Sequence, residues 1–364
     1  LPDVSALELR ELARVMTLKY GFLGLPHGGA KAGIICDEGA PREKKRHFLS
    51  AFGLKIRDLL SSRLYSPGPD MGTNNEDIRH LLEKTGIRLS KRILAGDRSG
   101  LYTSLTVIAS AQMAAIHGGL DLSRPSAAIE GFGKVGSSLA WGLHQLGSKI
   151  VAVSTSQGAL YSPGGLDVPM LLELSEQFGS RLVDNYKDAD RIERGKLLEL
   201  DVDILFPCAR HHSINSGNSS RVKAKLISPG ANIPITEEAV DLLSQRGILC
   251  VPDFVANSGG VLGGTMEFAG VSQATIRNFI NHHFSKQVKI IFERSLSEGM
   301  SLRNLAKNIA LDRFARIKAV SENRSVRNKA FDLALDLYRG GMIPKMFSGS
   351  LARAYFRRRI EGIV

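Results

Sequence analysis

The stretch from Ser126 to Thr155, SAAIEGFGKVGSSLAWGLHQLGSKIVAVST, restricts the fold more than any other part of the chain. An apolar run, Ala127 to Ile129, enters the turn Gly131-Phe132-Gly133-Lys134-Val135-Gly136; a helical pattern follows, then a second apolar run, Lys149 to Val153. Strand, glycine turn, helix and strand make a βαβ unit. Each glycine in such a turn has its own task. Gly131 permits the tight turn, Gly133 lets a pyrophosphate approach the backbone, and Gly136 lets the helix sit close on the strands. The first N–H groups of the helix, with its dipole, would hold the phosphates. Gly131, Gly133, Lys134, Val135 and Gly136 are therefore candidate dinucleotide-binding residues. Such a unit ordinarily ends its second strand on Asp or Glu, which accepts from the adenosine ribose hydroxyls. Here Ser154, Thr155 and Ser156 stand in that place, with Thr155 the candidate contact. No carboxylate repels a 2′-phosphate and no Arg follows closely to bind one, so NAD and NADP both stay open.

Bulk properties narrow the class. At 364 residues the chain is long enough for two domains, and 43% hydrophobic with 23% charged residues is an ordinary globular composition. No apolar run approaches the roughly 20 residues that cross a bilayer. The start has no signal-peptide pattern. Cys36, Cys208 and Cys250 lie far apart without CxxC pairing, so buried thiols in a reducing cytoplasm are expected, and no metal site. The net charge of +12 is concentrated late: from Ser301 onward there are fourteen Lys or Arg against five Asp or Glu, ending in Arg357-Arg358-Arg359. These are spread through helical patterns without interleaved aromatics, which favours a solvated helical surface over a nucleic-acid face.

Ahead of the glycine turn the chain carries two further features. Ser5-Ala6-Leu7-Glu8 has the form of a capping box, and Leu7, Leu9, Leu12, Ala13 and Met16 continue it as an amphipathic helix that delivers Lys19 near its end. Gly24-Leu25-Pro26-His27-Gly28-Gly29-Ala30-Lys31-Ala32-Gly33 then opens into a short strand, Ile34 to Cys36. Its glycines leave the backbone bare around Lys31, as a small substrate in close contact requires. A helix is expected from about Arg42 to Leu60, with Phe48, Phe52 and Ile56 in the core, and a strand from Arg63 to Ser66. The rigid turn Pro67 to Thr73 carries one carboxylate, Asp70, a residue type that by itself is common turn chemistry.

Met16-Thr17-Leu18-Lys19, LPHGGAKAG around Lys31, PGPDMGT around Asp70, GFGKVG, KLLELDVDILFPCA, PGANIPIT and VPDFVANSGGV occur in one order. In that order and spacing they resemble the glutamate/leucine/phenylalanine/valine dehydrogenases, from Leu1 to about Phe268, and look closest to the glutamate branch. The resemblance implies an α/β fold of two domains: an α/β substrate and dimerisation domain over 1–98, a doubly wound Rossmann-type NAD(P) domain over 99–256, and C-terminal helices over 257–364 that return to the first domain. Helix Thr103 to His117 would lead into the second domain, and strands near Asp203 to Phe206, Lys225 to Ser228 and Ile248 to Val251 would complete its sheet. Because the chain starts at Leu1-Pro2 without an initiator Met, the family's N-terminal segment, with part of its dimer interface, is expected to be missing.

The activity implied is NAD(P)-dependent oxidative deamination of an L-amino acid to a 2-keto acid and ammonia, by a homo-oligomer. Lys19 would pair with the substrate carboxylate, Lys31 would activate water, and Asp70 would move a proton at the amino nitrogen. A lysine in a closed cleft beside a second cation should have a lowered pKa, which suits Lys31 to that role. Asn232 and Asn257 would face the nicotinamide and the substrate, and Ser99 stands where the family usually has Thr near the carboxamide. Two departures stand out. Pro207-Cys208-Ala209-Arg210-His211-His212 replaces a PAALEN-like run, its histidines reading as solvated turn residues. Gly264 stands where glutamate-specific members tend to have a side-chain-binding serine. Glutamate is the first substrate expectation and leucine or another branched amino acid the second; a catalytically silent relative is the reading from another class.

Overall fold

The computed structural model describes residues 2–37, 39–87, 98–121, 123–322, 337–338, 341–342 and 344–362. Seven strands form its sheet: β1 (Ser126–Glu130), β2 (Lys149–Thr155), β3 (Gly158–Tyr161), β4 (Asp190–Ile192), β5 (Ile204–Pro207), β6 (Leu226–Ile227) and β7 (Leu249–Cys250). Their order is β4-β3-β2-β1-β5-β6-β7. β1 pairs in parallel with β2 on one side and β5 on the other, with Ala128 opposite Leu205 and Ile129 opposite Phe206. Parallel pairing continues to β6 and β7. Strand order reverses at β1, which creates the crevice where open sheets of this kind take ligands.

The β2–β3 and β3–β4 pairs are antiparallel, an edge that the sequence reading did not contain. Only Ser156 and Gln157 separate β2 from β3, and a link that short can make a hairpin but not a crossover. Both faces of the sheet are covered. Ala127 and Ile129 face one core, Ala128 the other, so the middle of β1 is apolar on both faces instead of alternating.

The residues before the sheet are helical: α1 (Ala6–Leu23), α2 (Arg42–Lys55), α3 (Arg57–Ser61) and α4 (Asn75–Lys84). No strand occurs among the described residues of 2–87, so Ile34–Cys36 and Arg63–Ser66 are not the strands expected of them. A short extended run becomes a strand only beside another strand that takes its N–H and C=O groups, and no such strand stands there among the described residues. The expected Arg42–Leu60 helix breaks at Ile56 into α2 and α3. Leu49, Leu60 and Leu81 form the small core beneath, with Phe52 and Ile56 packed against it.

α5 (Ser99–His117) leads into the sheet and α6 (Lys134–Gln145) follows the glycine turn. Beyond Asn257 the chain is helical over Gly259–Phe268, Gln273–Phe279, Ser285–Ser297, Leu302–Glu322 and Lys345–Glu361, with a π-helical turn at Ile280–Phe284; residues 323–336 lie outside the described ones. The long helix Leu302–Glu322 packs along α1, where Gly21 lies against the Ala310 carbonyl. From it, Arg313 donates to the Phe22 carbonyl at 2.9 Å and to the Arg359 carbonyl of the terminal helix. One guanidinium thus serves the open carbonyls at two helix ends.

Candidate active site

α1 buries Val15, Leu18, Phe22 and Leu23, and on that same face it buries a lysine. Lys19 is 5% exposed, and its Nζ donates to Asn232 Oδ1 at 2.6 Å, joining the first domain to a loop beyond β6. Burial lowers the Lys19 pKa to about 8; Asp253 and Asp70 oppose that fall, while Lys31 adds to it.

The glycine loop doubles back along α1. Gly29 donates its N–H to Thr17 Oγ1 at 3.0 Å and lies so near the Ala13 carbonyl that no Cβ fits. That approach sets Lys31, twelve residues beyond Lys19, near the same helix, and its Nζ hydrogen-bonds Asp70 Oδ2. Asp70 combines two functions. Its Oδ1 accepts the Met71 N–H at 2.8 Å and its backbone bonds Thr73, which is turn chemistry, while Oδ2 remains for Lys31. Partial burial pushes the Asp70 carboxyl up, but the charge and hydrogen bond of Lys31, the Met71 N–H and the Lys19 charge together hold it below its ordinary value.

Two asparagines close the other side. Asn257 Nδ2 donates to the Ala231 carbonyl at 2.7 Å and to Asn232 Oδ1 at 3.2 Å, so Asn232 Oδ1 accepts from Asn257 and Lys19 at once. Asn257 Oδ1 is buried without a hydrogen-bond partner among the described residues, a polar atom left available to a ligand.

The dinucleotide turn has the form its glycines require. Gly131 is left-handed at φ 91° and donates to Ser154 Oγ at 3.0 Å. Gly136 lies on the Gly131 carbonyl so closely that a Cβ would collide with it, whereas Gly133, at the start of α6, faces open space. Lys134 is exposed at the first position of α6, and Val135 lies against Gly230 beside the Asn232 loop. Ser99, the first residue of α5, lies beside Gly260, and Gly100 sits on the Lys134 backbone. The α5 start, the α6 start and the Asn257 turn therefore converge. A pyrophosphate fits here: exposed N–H groups at a helix start, with no side chain in the way.

The family model described as Glutamate/Leucine/Phenylalanine/Valine dehydrogenase matches residues 98–322, and that of the Glu/Leu/Phe/Val dehydrogenase dimerisation domain matches residues 1–86. The chain belongs to this dehydrogenase family. It is 34% identical over 338 residues to a glutamate dehydrogenase of Thermotoga maritima, covering 86% of this chain and 80% of the relative. It is 32% identical to a NAD-specific glutamate dehydrogenase of Staphylococcus aureus, covering 86% of this chain and 80% of the relative, and 34% identical to a NADP-specific one of Saccharolobus shibatae, covering 86% and 79%. Among solved structures, the hetero-hexameric glutamate dehydrogenase of Thermus thermophilus in a Leu-bound form aligns with TM-score 0.75 at 26% identity, covering 89% of this chain and 80% of that one.

Within this amino acid dehydrogenase the remaining expected residues are less centrally placed. Thr155 donates its hydroxyl to the Ser180 carbonyl at 2.7 Å and accepts the Gln157 N–H at 3.1 Å, so its side chain is engaged in holding the β2–β3 turn. Gly264 is exposed on the helix Gly259–Phe268 with open space where a side chain would stand. The histidines of the PCARHH run do sit in a turn and are partly exposed, but they also have carboxylate neighbours. Arg210 lies 3.4 Å from Asp3, His211 Nδ1 3.4 Å from Glu8, and His212 Nε2 3.6 Å from Glu11, so the run is docked on α1. Ser5 Oγ still caps the Glu8 N–H at 3.1 Å, but the Glu8 carboxylate faces His211 instead of completing the box.

Three charged residues near the site were missed from sequence. Asp253 is 2% exposed, its Oδ2 accepting the Ile233 N–H at 2.9 Å and its Oδ1 accepting Arg303 Nη1 at 3.0 Å. Glu130, the last residue of β1, accepts from Ser213 Oγ at 2.9 Å, and burial raises its pKa to about 7 against the effect of that bond and of Arg194. The available signal was a carboxylate inside an apolar run, in VPDFVA and in SAAIEG.

Proposed function

We propose that the chain catalyses the NAD(P)-dependent oxidative deamination of L-glutamate to 2-oxoglutarate and ammonia. The observation that carries this reading is the cluster Lys19, Lys31 and Asp70 facing Asn232 and Asn257: two cations, one carboxylate and two amides gathered at the sheet crevice. Lys19, mostly protonated at pH 7 with a pKa of about 8, pairs with the substrate α-carboxylate. Asp70 takes a proton from the substrate amino group. Gly131, Gly133, Lys134, Val135 and Gly136 would hold the dinucleotide, with Ser99, Asn232 and Asn257 on the nicotinamide's side, and the bound cofactor would supply the acceptor for the Cα hydride. Lys31, in its neutral form, then removes a proton from the water that adds to the imine carbon, and Asp70 returns a proton to the departing ammonia.

The glutamate dehydrogenases among the relatives, NAD-specific and NADP-specific, support this substrate and leave both cofactors in play, as Ser154-Thr155-Ser156 does. Open space at Gly264 favours a second reading, a branched apolar amino acid. In either case residues 1–98 serve as substrate and dimerisation domain, 99–256 as the NAD(P) domain and 257–364 as the returning brace, in a homo-oligomer. Free thiols at Cys36, Cys208 and Cys250 favour the cytoplasm. No helix among the described residues is long and apolar enough to cross a membrane.

The test is NADH and NADPH formation with a panel of L-amino acids, comparing wild type with Lys31→Ala. Turnover of glutamate that the substitution abolishes supports the proposal, and turnover of leucine alone supports the second reading. A folded protein that binds dinucleotide yet turns over no amino acid overturns both in favour of a silent relative.

A further inference from the structure

Asp253 touches neither Lys31 nor Asp70, yet its position ties the site together. Both carboxylate oxygens are used, one by the Ile233 N–H at 2.9 Å and one by Arg303 Nη1 at 3.0 Å, and the residue is 2% exposed. Ile233 has φ 48°, a left-handed conformation that a β-branched residue adopts only when its surroundings impose it. The Asp253 hydrogen bond to Ile233 is one such constraint, and the residue that this turn presents is Asn232, the partner of the Lys19 ammonium at 2.6 Å. Arg303 comes from the first turn of the helix Leu302–Glu322 and lies over the Phe254 ring at 5.9 Å, so it is held by ring and carboxylate together. The gap beside the pair, lined by Pro229, Pro234, Cys250 and Val251, has a volume of about 10 Å³, room for about one water. Asp253 is thus shielded from solvent while Arg303 stays partly exposed, so the charge of the pair is only partly screened.

We propose that Asp253 and Arg303 are a positioning pair, holding the Asn232 turn and the Lys19 ammonium in place for the substrate carboxylate. This rests on the amino acid dehydrogenase reading, with Lys19 as carboxylate anchor. The groups facing Lys19 are Asp253, Lys31 and Asp70, and Asp253 is the foremost of those that favour its charged form. Replacing Asp253 by Asn takes away that support and leaves one of its two hydrogen bonds, to Ile233 or to Arg303, without an acceptor.

The experiment uses Asp253→Asn, Arg303→Lys and Arg303→Ala in the full chain, with kcat, KM, their pH profiles and dinucleotide affinity measured for each. Asp253→Asn is expected to raise the amino acid KM at least tenfold, change kcat by less than threefold, leave dinucleotide affinity unchanged, and move the alkaline limb of kcat/KM down by about one pH unit. Arg303→Lys should keep most of the wild-type KM and Arg303→Ala should lose it. An unchanged KM and an unmoved limb in a folded Asp253→Asn protein would overturn the proposal. If Asp253→Asn does not fold, equal KM values for Arg303→Lys, Arg303→Ala and wild type would do the same. NMR titration of the Lys19 ammonium reads the pair without turnover: a drop in its pKa on Asp253→Asn supports the pair even in a protein that oxidises no amino acid, and no drop sinks it.

Discussion

Lys31 Nζ and Asp70 Oδ2 form a hydrogen bond between two loops 39 residues apart. Each loop is kept rigid by local bonds: Gly29 to Thr17 on one side, Asp70 to Met71 and Thr73 on the other. Proton transfer by a positioned side chain contributes about 10²–10⁴-fold to rate, so Lys31→Ala and Asp70→Asn should each lower kcat by that amount. The double substitution should lose little more than either alone, because the two groups act as a unit. Steady-state kinetics on the three variants, with dinucleotide affinity as the control, checks this.

Lys19 gives the site a pH dependence of known sign. Its pKa falls from 10.5 unfolded to about 8 in the folded protein. Above about pH 8 Lys19 loses its proton, and in its proposed role as carboxylate anchor the amino acid KM should rise roughly tenfold per pH unit, an increase that Lys19→Met removes together with tight binding. Stability runs the other way. Between about pH 8 and 10.5 the unfolded chain binds the extra proton, so unfolding free energy should climb with pH, by at most about 3 kcal/mol over the whole window. Denaturation of wild type and Lys19→Met at pH 7.5 and 10 measures that difference.

Gly133 and Gly136 should separate binding from folding. Alanine at Gly136 would collide with the Gly131 carbonyl, and relief by backbone shift should cost about 1–3 kcal/mol or more, with dinucleotide binding lost as well. Alanine at Gly133 meets open space, so stability should change by less than about 1 kcal/mol. The methyl would nevertheless occupy the side from which phosphate approaches, and dinucleotide affinity should fall at least tenfold. Thermal melts and dinucleotide titration on both variants decide the matter.

Arg313 carries a structural role that charge counting would not find. Partly buried and facing Arg359, its pKa is lowered to about 10, still well above neutrality, so it donates as a cation to the Phe22 and Arg359 carbonyls. Arg313→Ala leaves two helix-end acceptors without it, at about 1–3 kcal/mol each. The melting temperature should drop by several degrees, and the amino acid KM should rise because the end of α1 that carries Lys19 is loosened. A variant that melts and binds like wild type would refute this.

The sheet centre and the glycine turn were legible because each rests on local chemistry, while Lys19, Lys31 and Asp70 were singled out by the family resemblance, and the structure brings them together. Gly131 is left-handed, Gly136 is pressed on a carbonyl and the middle of β1 is apolar on both faces, and all three leave a mark in consecutive residues. The lowered pKa of Lys19 comes from its burial on the inner face of α1, which the helical pattern alone did not single out. The strands expected at Ile34–Cys36 and Arg63–Ser66 failed because strand formation depends on a neighbour, which a short run cannot specify.

Sequence by itself therefore determined the βαβ unit, the family and the residue types of the site, since glycine geometry and apolar periodicity act within a few residues. Tertiary structure alone decided which partners those residues take. Lys19 meets Asn232 across 213 residues, Asp253 meets Arg303 across 50, and His211 reaches back to Glu8. Hydrogen bonds and ion pairs are fixed by where the packed elements place their ends, and that placement is a property of the whole core, not of any one stretch.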